Sequence, residues 1–200
     1  MAINLANNNS LANITALPSS ISGGAMTLLA TQTASGSASL SFTSGIDSTY
    51  DEYVFKFINI HPATNDANFQ VNFRDGGSAY DAVKTTTFFR AYHREDDGDA
   101  ALAYRTQADL AQSTSPATLN IGAGNENDES TSGSMVLYNP SSTVFVKHFI
   151  STTNEYEGGN VSHQAFVAGY NNVTASIDGV QFSFSTGNID SGVIKLYGIS

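Results

Sequence analysis

The chain has 200 residues, with eight Lys and Arg against eighteen Asp and Glu, a formal charge of -10, and no cysteine. So few basic side chains argue against a nucleic acid or an anionic membrane surface as partner, because phosphate groups are met by Lys and Arg in number. The absence of cysteine excludes a disulfide framework or a thiolate metal site, and no apolar run approaches the ~20 residues of a membrane helix.

A chain of this length is expected to form one β-domain that buries roughly 70% of its unfolded surface. Nine Tyr and twelve Phe, with no Trp, are the natural material for its core and favour pleated strands. Residues 1–24 are rich in Asn, Ser and Ala, with isolated Ile3, Leu5, Leu11, Ile14, Leu17 and Ile21. Two readings stand open: a frayed terminus, or an extended N-terminal arm whose spaced apolar side chains fill pockets on a neighbouring subunit. The first residues carry no positive side chain and no continuous apolar stretch, so no signal peptide is expected and the product folds where it is made.

From Ala25 onward the pattern is that of strands. Met26 to Thr33 and Ser37 to Thr43 are Thr- and Ser-rich candidates, and Tyr53 to Ile60 is a strong one that His61-Pro62 should end. Phe69 to Phe73 alternates cleanly, and Thr85 to Tyr92 is β-branched and aromatic. Residues Ala100 to Gln112 fit a short helix or a strand equally, with Leu102, Arg105 and Asp109 spaced as helical neighbours could be. Gly122 to Gly133 is expected to be a surface loop. Met135 to Tyr138 and Thr143 to Ser151 flank Asn139-Pro-Ser-Ser142, a link suited to a hairpin. Gln164 to Tyr170 precedes a C-terminal pair joined at Gly187 to Gly192, where Ile177, Val180, Phe182 and Phe184 are apolar and the last three, with Gln181 and Ser183 between them, keep the two-residue period of a half-buried strand. Short strands with frequent turn signals predict an all-β antiparallel sandwich over residues 25–200.

No constellation on this scaffold predicts catalysis. Glu95-Asp-Asp-Gly-Asp99 gathers carboxylates beside a glycine as calcium loops do, but lacks the alternating ligands and distal Glu of an EF-hand, so a solvated loop is expected. Asn125 to Glu129 is a weaker version of the same pattern. His61, His93, His148 and His163 are dispersed without metal-ligand spacing, and no Gly-x-Ser-x-Gly elbow or phosphate-binding glycine loop is present. No catalytic, cofactor-binding or metal-binding residue is therefore assigned, and no cofactor is expected. Phe88 to Arg94 concentrates aromatics with two of the arginines, which suits either a carbohydrate or protein contact, or a strand whose Arg90 and Arg94 pair with nearby carboxylates; the second is expected. The sequons at Asn8, Asn13, Asn160 and Asn172 carry little meaning without secretion.

Three stretches resemble small virion proteins of tailed bacteriophages, especially aquatic ones: Asn9 to Ser19, Ser39 to Pro62, and Gly187 to Ile199. The resemblance implies a jelly-roll type sandwich, a homotrimer, and a place on the virion surface after folding in the host bacterial cytoplasm. It implies a capsid decoration (cement) protein that binds the major capsid protein or another virion protein through residues 1–24. The alternative is a tail-fibre or head-fibre adhesin that binds a host surface glycan. A polysaccharide hydrolase ranks third, since it needs two carboxylates facing one cleft at about 5 to 10 Å.

Overall fold

In the computed structural model, residues 25–199 are described; the expected arm, residues 1–24, lies outside them. They form twelve strands and, among the described residues, no helix. In chain order these are β1 (Met26–Thr33), β2 (Leu40–Phe42), β3 (Glu52–Pro62), β4 (Phe69–Arg74), β5 (Lys84–Arg94) and β6 (Ala100–Tyr104). They continue with β7 (Ala117–Thr118), β8 (Thr131–Tyr138), β9 (Lys147–Glu157), β10 (Val161–Asn171), β11 (Gly179–Phe184) and β12 (Ile189–Ile199). Every pairing between them is antiparallel.

The strands lie in two sheets, an eight-stranded one in the order β1-β12-β3-β8-β9-β10-β5-β6 and a four-stranded one in the order β2-β11-β4-β7. Phenylalanines on the facing sides weld them into an antiparallel sandwich. Phe182 of β11 sits 5.2 Å from both Phe55 and Phe57 of β3. Phe42 of β2 meets Phe55 at 5.4 Å, and Phe73 of β4 meets Phe149 of β9 at 4.9 Å. These rings are fully or almost fully buried, as the two-residue period of each strand requires.

Beyond the reach of the small sheet, the inner face of β9, β10 and β5 is covered by the segment between β6 and β8. Arg105 N donates to the Phe88 carbonyl and Thr86 N to that of Leu110, while Thr153 Oγ1 donates to the Leu119 carbonyl at 2.9 Å. Leu119 and Ala123 are wholly buried there. This corrects the expectation of a surface loop over 122–133: Ala123, Glu129 and Thr131 are buried, and β8 starts inside the stretch. The backbone N–H groups of Ala67 and Ala123 bond across to each other's carbonyls, which makes burial affordable for so polar a segment.

Two further expectations are resolved. Residues 100–112 are a strand and not a helix, but only as far as Tyr104; pairing of Ala100 to Tyr104 with Phe89 to His93 outweighs their helix propensity. The C-terminal strands are not a hairpin, because β11 and β12 belong to opposite sheets. Phe182 and Leu196 are both fully buried, so the connection through Gly187 crosses from one sheet to the other so that both face the same core.

At one end of the sandwich two lysines are wholly buried. Lys84 Nζ donates to the Ser115 carbonyl at 2.9 Å and Lys147 Nζ to that of Val173 at 2.8 Å. Burial holds the Lys84 ammonium down to about 8 and lowers Lys147 as well.

Candidate functional site

The opposite end of the sandwich gathers most of the remaining polar chemistry. There the β5–β6 turn (95–99) and the β9–β10 turn (158–160) meet the loops around residues 63–68 and 122–130: Glu95 N donates to the Asn160 carbonyl, and Asn125 Nδ2 reaches that of Ala63. Strand alternation then decides which side chains enter. From β5 the inward set is Phe88, Arg90, Tyr92 and Arg94; from β10 it includes His163; from β9 it includes Glu155 and Glu157.

Pairing places Tyr92, His163, Glu155 and Thr131 in one row across four strands. Glu155 and His163 have no exposed side-chain surface, and Glu155 Oε1 lies 2.5 Å from His163 Nδ1. Burial drives the Glu155 carboxyl well above its usual range, with Glu157 adding to the shift. Burial, aided by the Arg90 charge, lowers His163 to about 4. Both shifts favour the uncharged pair, a protonated carboxyl donating to a neutral imidazole. Beside them the buried Asn120 donates from Nδ2 to Thr131 Oγ1 at 2.9 Å.

In front of this row opens a polar cleft of about 240 Å³, lined by Asn65, Asp66, Gly122, Glu157, Gly158 and Gly159. Gly122 makes the space. Its φ of +81° is left-handed, and a Cβ there would stand 3.0 Å from Asp66 Oδ1 and 3.2 Å from Glu157 Oε1. Two carboxylates thus flank one point. Desolvation raises the Glu157 carboxyl above its ordinary value. The arrangement can accept hydrogen bonds from hydroxyl or amine donors; among the described residues no three His, Asp or Glu side chains converge as a metal would need.

The segment Phe88 to Arg94 divides between faces. Phe88 is in the core, and Phe89 is exposed and stacks on Phe166 at 4.8 Å. Arg90 does not pair with a carboxylate as expected; its guanidinium lies 4.7 Å from the Tyr92 ring centroid. Arg94 does find one, with Nε 3.1 Å from Asp96 Oδ1. The acidic turn is spent on itself: Asp96 also accepts from Gly98 N, Asp97 meets His93 at 3.0 Å, and Asp99 accepts from the Tyr92 hydroxyl at 2.7 Å. The four histidines all fall on strands, and only His163 enters the cluster's interior.

Sequence reasoning did not find the Glu155–His163 pair or the Asp66–Glu157 cleft. A signal for the first was present, since Glu155 and His163 stand at mirror positions about Gly158-Gly159-Asn160, a hairpin turn composition that would have set them opposite each other. The second had none, because Asp66 comes from a distant loop. No model of a known protein family matches the chain, and no curated protein matches it in sequence.

Proposed function

We propose that the protein is a structural component of a tailed-phage virion, a decoration protein on the outer shell, and that its sandwich is a jelly roll. The observation that carries this reading is the strand order. Setting aside the hairpin partners β5, β6, β9 and β10, the order β1-β12-β3-β8 stands against β2-β11-β4-β7. The first strand pairs with the last and the second with the second-last, and successive strands change sheets except at β4 and β7, which neighbour each other in the small sheet; this order supports the winding of a jelly roll. A fold alone does not carry a function. The reading also draws on the resemblance of three stretches of sequence to phage virion proteins.

In this role the chain assembles as a homotrimer, and residues 1–24 bind the shell. The test removes residues 1–24 and measures binding of the remaining domain to undecorated heads. Binding should be lost; full binding would refute the arm's role, and an image of the particle with this chain absent from the head would refute the decoration role itself.

The cleft favours a second reading, an adhesin for a host glycan, because paired carboxylates and an amide are the groups that hold sugar hydroxyls. Tyr92 is a poor probe for it, with one ring face under Arg90 and its hydroxyl held by Asp99. The better probe is Asp66→Ala: glycan-array binding that disappears in this variant supports the adhesin, and an array with no binding by the native chain removes it.

A further inference from the structure

The outer face of the eight-stranded sheet is chemically unlike the rest of this acidic molecule. Strand alternation assigns its side chains: Leu28, Val54, Ile150 and Phe89 point outward from β1, β3, β9 and β5, on the side away from the small sheet. Among the described residues the only carboxylates at outward strand positions are Glu52 and Asp190, at opposite margins, with Asp190 3.6 Å from His61; from the turns, Asp97 reaches His93 and Asp109 the Tyr104 hydroxyl at the β6 end of the face. The charged groups nearer the middle are Lys56 and Lys195, paired across β3 and β12. Everything else there is apolar, hydroxyl, amide or imidazole.

The half of this face formed by β9, β10, β5 and β6 is the more apolar. Phe89 lies flat on Phe166, with Ile150 beside them and Leu102 and Tyr104 on the edge strand, and all but Phe166 are exposed by 40% or more. Two shallow apolar troughs run between these side chains, sharing Thr87, Ile150 and Ala168. A soluble monomer rarely leaves so large a continuous apolar surface open.

We infer that this face is the surface through which the chain packs against a second copy of itself. Two arguments select a second copy. The first is charge: a molecule of net charge -10 repels its own kind over most of its surface, and the sheet face is the broad region where copies can approach without setting carboxylate against carboxylate. The second is area. Eight strands, five of them eleven residues long, at ~4.8 Å spacing and ~3.3 Å rise present roughly 1,200 Å², more than the ~800 Å² that each partner of a stable interface buries. The aromatic cluster supplies its centre. The inference specifies the surface for the self-association proposed above and rests on that part of the reading.

The experiment is native mass and sedimentation of the full chain over a range of concentration, compared with Phe89→Asp, Ile150→Asp and Leu102→Glu. Leu102 lies on an edge strand and is largely exposed, so its variant folds even where the others do not; circular dichroism checks each. The native chain should be oligomeric, each folded variant should dissociate at least tenfold more readily, and added salt should tighten the native assembly by screening net charge. An oligomer unmoved by Leu102→Glu and the other folded variants, or one that salt dissociates, overturns the interface while leaving self-association standing. A native chain that is monomeric at every concentration overturns both and leaves the face to residues 1–24 or to the shell. Head binding measured on the same samples reads the virion proposal separately.

Discussion

Glu155 and His163 show how a buried pair shapes the pH response of the whole fold. With ordinary values of 4.5 and 6.5, the unfolded pair holds one proton between pH 4.5 and 6.5, the same number as the uncharged folded pair, so stability there does not change on their account. Above about pH 6.5 the unfolded pair has none while folded Glu155 keeps its own, so stability falls by about 1.4 kcal/mol per pH unit until Glu155 ionises. Below 4.5 the unfolded pair binds a second proton that folded His163 refuses until about pH 4, and stability falls again. Urea midpoints should therefore form a plateau with a decline on each side. In Glu155→Gln the decline above pH 6.5 should flatten, and parallel curves for the two proteins would contradict the uncharged pair. Phe182 sets a second expectation at this scale. Its ring touches those of Phe42, Phe55, Phe57 and Phe69 at 5.2 to 6.2 Å, so Phe182→Ala should cost about 3 to 5 kcal/mol in chemical denaturation. A loss below ~1 kcal/mol would mean the sheets close over the gap.

Among the elements, β12 and β3 part company at one irregularity whose cause is visible. Pairing slips on either side of Ser191, and there Gly192 has a φ of +119° with room for no Cβ: one would stand 2.5 Å from the Asn59 carbonyl oxygen. Asn59 itself is left-handed at φ 49° and donates its N–H to Ser132 Oγ. Gly192→Ala should thus lower stability by about 2 kcal/mol or more, from strain and backbone collision together, and an unchanged melting point would show the bulge to be soft. The β5–β6 turn gives an expectation about metal. Asp96, Asp97 and Asp99 already hold Arg94, His93 and Tyr92, so EDTA should leave the melting temperature unchanged; a drop on chelation with recovery in calcium would revive the calcium loop. Elements of this kind were readable in the sequence where alternation was strong. Met26–Thr33 appears with the expected bounds and β4 and β5 within two residues of theirs, whereas β3 runs on through His61-Pro62, which was expected to end it, and β8, β9 and β10 reach beyond the expected 135–138, 143–151 and 164–170. Thr143 to Val146 was not part of a strand: Val144 and Phe145 are exposed in the link, a case in which apolar character did not mean burial.

For the molecule as a whole, what the sequence could not disclose is which sheet a strand joins. Period-two alternation says that a strand has a buried face and not which layer presents it, so β11 and β12 read as a hairpin although the core lies between them. The polar cleft was hidden for the same reason, since Asp66 and Glu157 meet only once the loop after β3 and the end of β9 are brought together. The alternation of strands between layers also governs when the molecule can exist at all. A cut in the exposed link at Val144 would leave the first fragment without β9 to β12 and the second without β1 to β8, so both sheets would lack strands in each piece. Separately the fragments should give unfolded circular dichroism spectra, and mixing them should restore the native one; a folded fragment would show that one part carries a core of its own. On the ribosome the same interleaving means that β1 waits for β12, its only sheet partner among the described residues. The aromatic strands made in between stay uncovered until β12 has been synthesised, so the sheet closes late and the growing chain exposes apolar surface for as long.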